Sequence, residues 1–204
     1  MKKQMVFPVI VVSLFTLLTG CASTSLVGTW SEPNYKTKIQ KILVVGLSQN
    51  ESIKRTYEST LSESIRAAGA QAEPAGSLLP AATETTADAI KAAIAGKGYD
   101  TVLVTRLVSR VQEERYVPGT PYPIPHSYYY GFHDYYSNVY PTVYSPGYLV
   151  NDTIVNLETN IYEVNEGKLI WAVVSETFNP DDINKEIKTL SEVLVTRLKK
   201  DGLL

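Results

Sequence analysis

The chain contains one cysteine among 204 residues, which excludes an internal disulfide framework and a zinc site built from several cysteines. Lysine and arginine together number 19, and aspartate and glutamate number 21. The sequence therefore has no excess of positive charge of the kind that nucleic-acid-binding surfaces show, and no nucleic-acid partner is expected. The single cysteine needs an explanation of its own.

Histidine is also scarce, which limits the general bases available to a hydrolase. The only two are His126 and His133. The segment Gly46-Leu47-Ser48-Gln49-Asn50 is close to a Gly-x-Ser-x-Gly nucleophile elbow, but Asn50 stands where the second glycine belongs. A helix cap explains Ser48 more simply. We therefore predict that the protein is not an enzyme, and a hydrolase is the least favoured alternative.

No metal ion or other cofactor is expected. His126, His133 and Asp134 match no familiar ligand spacing, and the two histidines are more simply explained as exposed side chains of a loop. Glu113 and Glu114 are neighbours on a predicted strand, so their side chains point to opposite faces and cannot form an acid–base pair.

The amino terminus has the organisation of a secretion signal. Lys2 and Lys3 form a positive end, and Met5–Leu18 form an apolar core of 14 residues. This core is shorter than the roughly 20 residues of a membrane-spanning helix. Residues 1–20 are therefore predicted to be a signal peptide.

The sequence Leu18-Thr19-Gly20-Cys21 follows this core and resembles the lipobox of bacterial lipoproteins. The resemblance implies that Cys21 carries a diacylglycerol, that the signal is cut before it, and that the new amino group is acylated, as by palmitate. Three acyl chains exceed the single chain that gives only marginal membrane binding. Ala22 stands where enterobacterial lipoproteins of the inner membrane tend to have aspartate. The resemblance thus implies a lipid-anchored protein of the outer membrane, facing the periplasm.

Apolar patterns along the rest of the chain predict alternating strands and helices. Continuous apolar runs are typical of strands buried on both faces, and four-residue steps are typical of helices. The predicted elements are a strand at 39–48, a helix from Ser48 to Gly69, a short strand at 70–74, a helix at 83–98, a long strand at 99–117 that projects beyond the sheet, a hairpin of 152–164 and 168–178, and a helix at 181–202.

Several local features refine these elements. Ser48 and Glu51 have capping-box spacing, and Asp181 or Asp182 is expected to cap the last helix. A turn at 165–167 ending in glycine fits a hairpin with a bulge. The predicted buried stripe of the last helix is Ile183, Ile187, Leu190, Leu194 and Leu198. The hairpin register predicts one face with Val155, Leu157, Thr159, Ile161, Leu169, Trp171 and Val173.

The fold class that follows is α/β, as a single domain. We expect one mixed sheet of about five strands, with a parallel βαβαβ front and an antiparallel hairpin at the back, packed with about three helices. The domain covers 39–204 and contains a long insert at 118–149. Residues 21–38 are predicted to be a lipidated tether, which leaves open a short edge strand near Leu26–Trp30.

A wider resemblance rests on "KILVVGLS", "YDTVLVTRLV", "LETNIYEVNEGKLIWAVVSETFNP" and "DGLL" after the lipobox. Together they look like a group of bacterial lipoproteins of unknown function. The order of elements is also remotely similar to periplasmic domains of the TolB amino-terminal type and to lipoproteins of curli secretion and penicillin-binding-protein activation. The resemblance implies a binding or assembly role, although fold alone does not define function.

The insert at 118–149 is the segment most suited to contact something else. It contains nine tyrosines, one phenylalanine, six prolines and a single charged residue. Prolines exclude a regular helix, and loops this long tend to be functional or disordered. The candidate contact residues are Tyr122, Tyr128, Tyr129, Tyr130, Phe132, Tyr135, Tyr136, Tyr140, Tyr144 and Tyr148.

Three interpretations of the insert stay open. Its tyrosines could pack on the domain itself, could bind an envelope protein, or could form a platform for envelope glycan or the membrane surface. We expect a non-catalytic, lipid-anchored binding or scaffolding module. An envelope protein is the expected partner, with peptidoglycan or another polysaccharide as the alternative.

Overall fold

A computed structural model describes residues 24–79, 86–119, 131–133, 136 and 147–204. The predicted signal peptide and Cys21 lie outside these residues, and so does most of the insert. Within the described ranges, no helix is long and apolar enough to cross a membrane.

The described residues contain six strands in one mixed sheet. They are β1 (Thr24–Ser31), β2 (Lys41–Leu47), β3 (Gln71–Pro74), β4 (Thr101–Val117), β5 (Tyr148–Glu163) and β6 (Leu169–Phe178). Their order across the sheet is β1-β6-β5-β4-β2-β3. β2 is parallel to β3 and β4, and all other neighbours are antiparallel. The α/β class, the parallel front and the antiparallel back are confirmed, whereas the predicted number of strands was wrong.

The additional strand, β1, lies within the stretch predicted as a tether. It pairs antiparallel with β6, from Thr24 opposite Thr177 to Ser31 opposite Trp171. Leu26 packs against the core, and a register shift follows it before Gly28. Trp30 lies opposite Ala172 and is 44% exposed, so its ring is not enclosed by the domain.

Helices cover the two faces of the sheet unequally. They are α1 (Glu51–Ala67), α2 (Ala87–Ile94) and α3 (Ile183–Lys200), with a 3₁₀ turn at Ala75–Ser77. α1 and α3 pack beside each other and share one core with the sheet. α2 and the 3₁₀ turn contribute to a second core on the side chains of Leu43, Val45 and Val102.

The central strands are buried as the sequence predicts. Residues 42–45 of β2 have no measurable exposure, because helices lie on both faces of this strand. Trp171 of β6 is also fully buried, and its indole Nε1 donates a hydrogen bond of 2.8 Å to Asp201 Oδ2 after α3. The main core therefore lies between the sheet and the α1–α3 pair.

The helix caps differ in part from the prediction. Asn50, rather than Ser48, caps α1, and its Oδ1 accepts hydrogen bonds from the backbone N–H groups of Ser52 and Ile53. Ser48 Oγ accepts a hydrogen bond from Asn50 N at 3.1 Å, so it supports the turn before the helix. Asp182 caps α3, which confirms one of the two predicted residues.

Two apolar residues lie elsewhere than predicted. Ile183 is 50% exposed because it occupies the first residue of α3, at the rim of a groove. Leu169 is opposite Tyr162, because a register shift between Ile161 and Tyr162 displaces it from the face of Trp171. The remaining predicted stripe of α3 is buried: Ile187, Leu190, Leu194 and Leu198.

Candidate binding surface

One edge of the sheet brings together most of the features that could bind something. β2, β4 and β6 run in the same direction, so their carboxyl ends lie at this edge. β1 is antiparallel to β6 and therefore begins there, with Thr24 opposite Thr177. The first residues of α1 and α3 line a cavity at the same edge. Ligands of open α/β sheets bind outside the carboxyl ends of parallel strands.

A groove of about 720 Å³ opens between α1, α3 and the sheet. Its size falls in the range of small-molecule pockets, roughly 300–1,000 Å³. The apolar side chains lining it are Leu47, Ile53, Leu107, Val155, Leu157, Pro180, Ile183, Ile187 and Leu190. Leu107 is 53% exposed on the sheet and Ile183 50% exposed on the helix, so apolar surface remains open to solvent here.

Polar groups at the bottom of the groove are already satisfied by one another. The Tyr57 hydroxyl is 2.5 Å from Thr105 Oγ1, which is in turn 2.9 Å from Thr159 Oγ1. Burial raises the pKa of Tyr57, so its hydroxyl stays protonated in any physiological pH range. This chain of hydroxyl groups closes the floor of the groove.

The carboxyl group of Glu58 fixes α1 to the strands beneath it. This side chain is fully buried, and its two oxygens accept hydrogen bonds from Gly46 N at 3.0 Å and Gly76 N at 2.9 Å. Burial raises the pKa of Glu58, while these two hydrogen bonds and the charge of Lys54 act in the opposite direction. Glu58 thus joins the end of β2, the 3₁₀ turn and α1, and it positions one wall of the groove.

The first described residue of the chain contacts the opposite wall. Thr24 Oγ1 is 2.8 Å from Thr177 Oγ1 and donates a hydrogen bond of 3.4 Å to Glu186 Oε2. Thr177 and Glu186 both line the groove. Thr24, at the start of β1, therefore lies beside the groove.

A two-stranded ribbon extends from this edge. β2 stops pairing with β4 at Arg106, and β6 stops pairing with β5 at Ile154. Residues 112–117 and 148–153 pair only with each other, and we call them the ribbon. Six residues per strand span about 20 Å. The predicted projection of the long strand is confirmed.

The base of the ribbon is braced by Asp152. Its carboxylate accepts hydrogen bonds from Asn179 Nδ2 at 2.8 Å and from Arg115 Nε at 3.0 Å, and these bonds hold the pKa of Asp152 below its usual range. Asn179 also exchanges hydrogen bonds with Thr153 and has φ +46°, the left-handed conformation that asparagine tolerates better than most residues.

The far end of the ribbon is apolar and open. Tyr116, Tyr148 and Leu149 are 61%, 62% and 64% exposed. Phe132 and Tyr136 of the insert are also exposed, and their rings stack with centroids 5.6 Å apart. Seven candidate residues lie outside the described residues: Tyr122, Tyr128, Tyr129, Tyr130, Tyr135, Tyr140 and Tyr144.

The described residues that were considered for chemistry lie in different elements of the structure. Ser48 lines the groove, and its hydroxyl is held by Asn50 N. His133 is exposed in the insert, whereas His126 and Asp134 lie outside the described residues. Among the residues that the structure describes, no group of three metal-ligating side chains is present. Glu113 and Glu114 lie opposite Asp152 and Asn151, on the two faces of the ribbon.

Sequence reasoning missed Glu58 and the groove. Glu58 lies three residues before Leu61, so the helical spacing places both on the same face of α1. That spacing could have indicated that Glu58 faces the core. The groove had no sequence signal, because it forms where residues from the starts of α1 and α3 meet residues near the strand ends.

Comparisons with known proteins show remote likeness of fold. No protein-family profile matches the chain, and no curated protein matches it. The solved structures that match include a PelC dodecamer from Paraburkholderia phytofirmans, with 12% identity, 84% of this chain and 96% of that chain covered, and a TM-score of 0.48. Lipoprotein GNA1162 from Neisseria meningitidis matches with 15% identity, 79% and 99% coverage, and a TM-score of 0.42. A bacterial lipoprotein is thus among the similar structures. Likeness this remote carries no argument about ligand or partner.

Proposed function

We propose that this protein is a lipid-anchored, non-catalytic binding module of the bacterial envelope, placed on the periplasmic side of the outer membrane. Its recognition surface is the end of the ribbon together with the Tyr/Pro-rich insert that the ribbon carries. An envelope protein is the proposed partner.

The observation that carries this proposal is the exposed apolar end of a braced ribbon. Isolated two-stranded ribbons are marginal in water, and this one is held at its base by the contacts of Asp152 and Asn179. Its end nevertheless exposes Tyr116, Tyr148 and Leu149. Contiguous exposed apolar patches mark interaction sites, and aromatic residues are enriched at protein interfaces. A self-packing insert would instead bury these side chains.

Anchoring follows from the position of Cys21. The lipobox-like cysteine precedes β1 by only three residues, so the anchor and the ribbon would lie at the same edge of the sheet. A domain held in this way would keep its ribbon close to the membrane surface and to proteins embedded there.

The arrangement gives little support to hydrolysis. A serine nucleophile needs a base within hydrogen-bonding reach. The hydrogen bond that the structure records for Ser48, within the described part of the chain, comes from a backbone N–H. Support of a turn accounts for this residue without catalysis.

Glycan binding is the second candidate function, and the stacked rings of Phe132 and Tyr136 favour it. Their exposed faces offer the flat apolar surface on which sugar rings pack. A protein partner and a glycan are distinguished by whether treatment with a protease or with a glycan hydrolase removes the captured material.

The ribbon can be tested with a paired set of variants. In Tyr148→Ser/Leu149→Ser, we expect crosslinking of the envelope partner in cells to fall at least about tenfold, since an exposed apolar side chain is lost from each face of the ribbon's end. Because both side chains are exposed, the melting temperature should stay nearly unchanged. Quantitative mass spectrometry of crosslinked proteins provides the measurement.

The control variant is Val27→Ser/Val108→Ser, which removes two similarly exposed apolar side chains outside the ribbon. Its crosslinks should match those of the wild type. Equal crosslinking in the ribbon variant and the control variant would remove the ribbon from the recognition surface.

A further inference from the structure

The groove is an open apolar surface whose occupant can be argued from the course of the chain. Leu107 on the sheet and Ile183 on α3 both line it, with about half of each side chain exposed. The hydroxyl groups at its floor are paired with one another, so they do not call for a polar ligand. Apolar walls over a satisfied floor suit an apolar occupant.

The charges at the rim argue against an anionic ligand such as a phosphate. The basic residues lining the groove are Lys54, Arg106 and Arg110, and the acidic ones are Asp181 and Glu186. Arg106 is paired with Glu158, with 2.6 Å between Nη2 and Oε2. Opposite charges are therefore mixed around the opening and give no field of a single sign. Recognition here would depend on shape and on apolar contact.

Thr24, at the start of β1, lies beside this groove. Thr24 contacts Thr177 and Glu186 in its wall, and Cys21 is three residues before Thr24. Three extended residues span at most about 11 Å. Whatever direction residues 21–23 take, the sulfur and the amino group of Cys21 stay within reach of the groove.

We infer that the groove holds one acyl chain of the protein's own lipidated Cys21. This inference rests on the proposed lipid anchor. Two membrane-inserted chains are enough for stable anchoring, so the third chain of a triacylated cysteine can leave the bilayer without releasing the protein. Seated over Leu107, that chain fixes the edge of the sheet, and the ribbon with it, against the membrane.

Photocrosslinking within the full-length protein tests the inference directly. The photoreactive residue p-benzoylphenylalanine is placed at Leu107, and cells are fed an alkyne-bearing fatty acid before irradiation. The expected product has the mass of the monomer and joins the tryptic peptide that contains position 107 to the lipidated peptide that ends at Lys36. Its yield should exceed that of the control at least about tenfold.

The control carries the same photoreactive residue at Leu149, on the same face of the two strands but about 30 Å further along. Position 183 provides a second probe if the variant at 107 does not fold. A product with free phospholipid, with the insert, with a second copy or with another protein would overturn the inference, and so would absence of any product while Cys21 is acylated. An unmodified Cys21 would instead show that the proposed anchor itself is wrong.

Discussion

Replacing Cys21 with serine should abolish the labelling of this protein by a clickable fatty acid. The lipobox resemblance assigns all three acyl chains to this residue, since the signal is cut and the new amino group acylated only once the thiol carries its lipid. The variant should therefore also keep residues 1–20. Gel fluorescence after metabolic labelling, together with the mass of the amino-terminal peptide, measures both effects.

A displaced cysteine is the matched control for this experiment. Cys21→Ser/Ala22→Cys keeps one thiol but moves it by one position from Gly20. If position matters as it does in a lipobox, this variant also stays unlabelled. Labelling that persists in either variant, or a wild-type protein that carries no label, would contradict the proposed anchor.

Replacing Glu58 with alanine should destabilise the domain by about 3–5 kcal/mol. Two backbone N–H groups, of Gly46 and Gly76, would lose their acceptor in a buried place, and each unsatisfied donor costs about 1–3 kcal/mol. The deleted side chain also leaves a cavity. Thermal unfolding of the detergent-solubilised protein, followed by circular dichroism, measures the change.

Two further variants separate this contribution from general effects on α1. Glu63→Ala changes an exposed glutamate on the same helix and should alter stability by less than about 0.5 kcal/mol. Glu58→Gln keeps one acceptor oxygen, so its stability should lie between those of the wild type and Glu58→Ala. Equal stability of Glu58→Ala and the wild type would show that Glu58 does not fix the helix.

The difference in stability between the wild type and Glu58→Gln should change with pH in a definite direction. Because burial raises the pKa of Glu58 in the folded protein above its ordinary value of 4.5, the folded state binds the proton more tightly than the unfolded state. The stabilisation from Glu58 is therefore largest below that ordinary value and decreases as the pH rises through the folded-state pKa. The free energy of unfolding of the wild type should therefore exceed that of Glu58→Gln by the largest amount at acid pH.

The central part of the fold could be predicted because its strands are buried on both faces. The apolar runs at Ile42–Val45 and at the start of β4 predict buried strands, and both are buried. The spacing of Tyr57, Leu61 and Ile65 identifies the inner face of α1. β1 could only be left open as a short edge strand near Leu26–Trp30, because its small and polar residues form no apolar run. β1 is held in the sheet by its pairing with β6, so its own residues do not predict that it is a strand.

The groove could not be predicted, since it depends on where two helices begin relative to the sheet. Ile183 fits the apolar stripe of α3 by spacing, yet it lies on the first turn, beyond the reach of the core. The cap of α1 was ambiguous for a related reason. Ser48 and Asn50 can both accept hydrogen bonds from backbone N–H groups, and they are only two positions apart. The sequence pattern does not locate the start of the helix closely enough to choose between them.

The central claim, that the ribbon and its insert recognise an envelope protein, is tested most directly by removing the insert. Val117 and Tyr148 are directly opposite in the ribbon, with Cα atoms about 5 Å apart, so a short Gly/Ser linker can replace residues 119–147 and close a hairpin. The variant and the wild type are then compared by crosslinking and mass spectrometry in cells, with unfolding temperatures measured in parallel. We expect a specific crosslinked envelope protein to disappear from the variant while its unfolding temperature is preserved. Unchanged crosslinks with a lowered unfolding temperature would show instead that the insert packs on its own domain and recognises no partner.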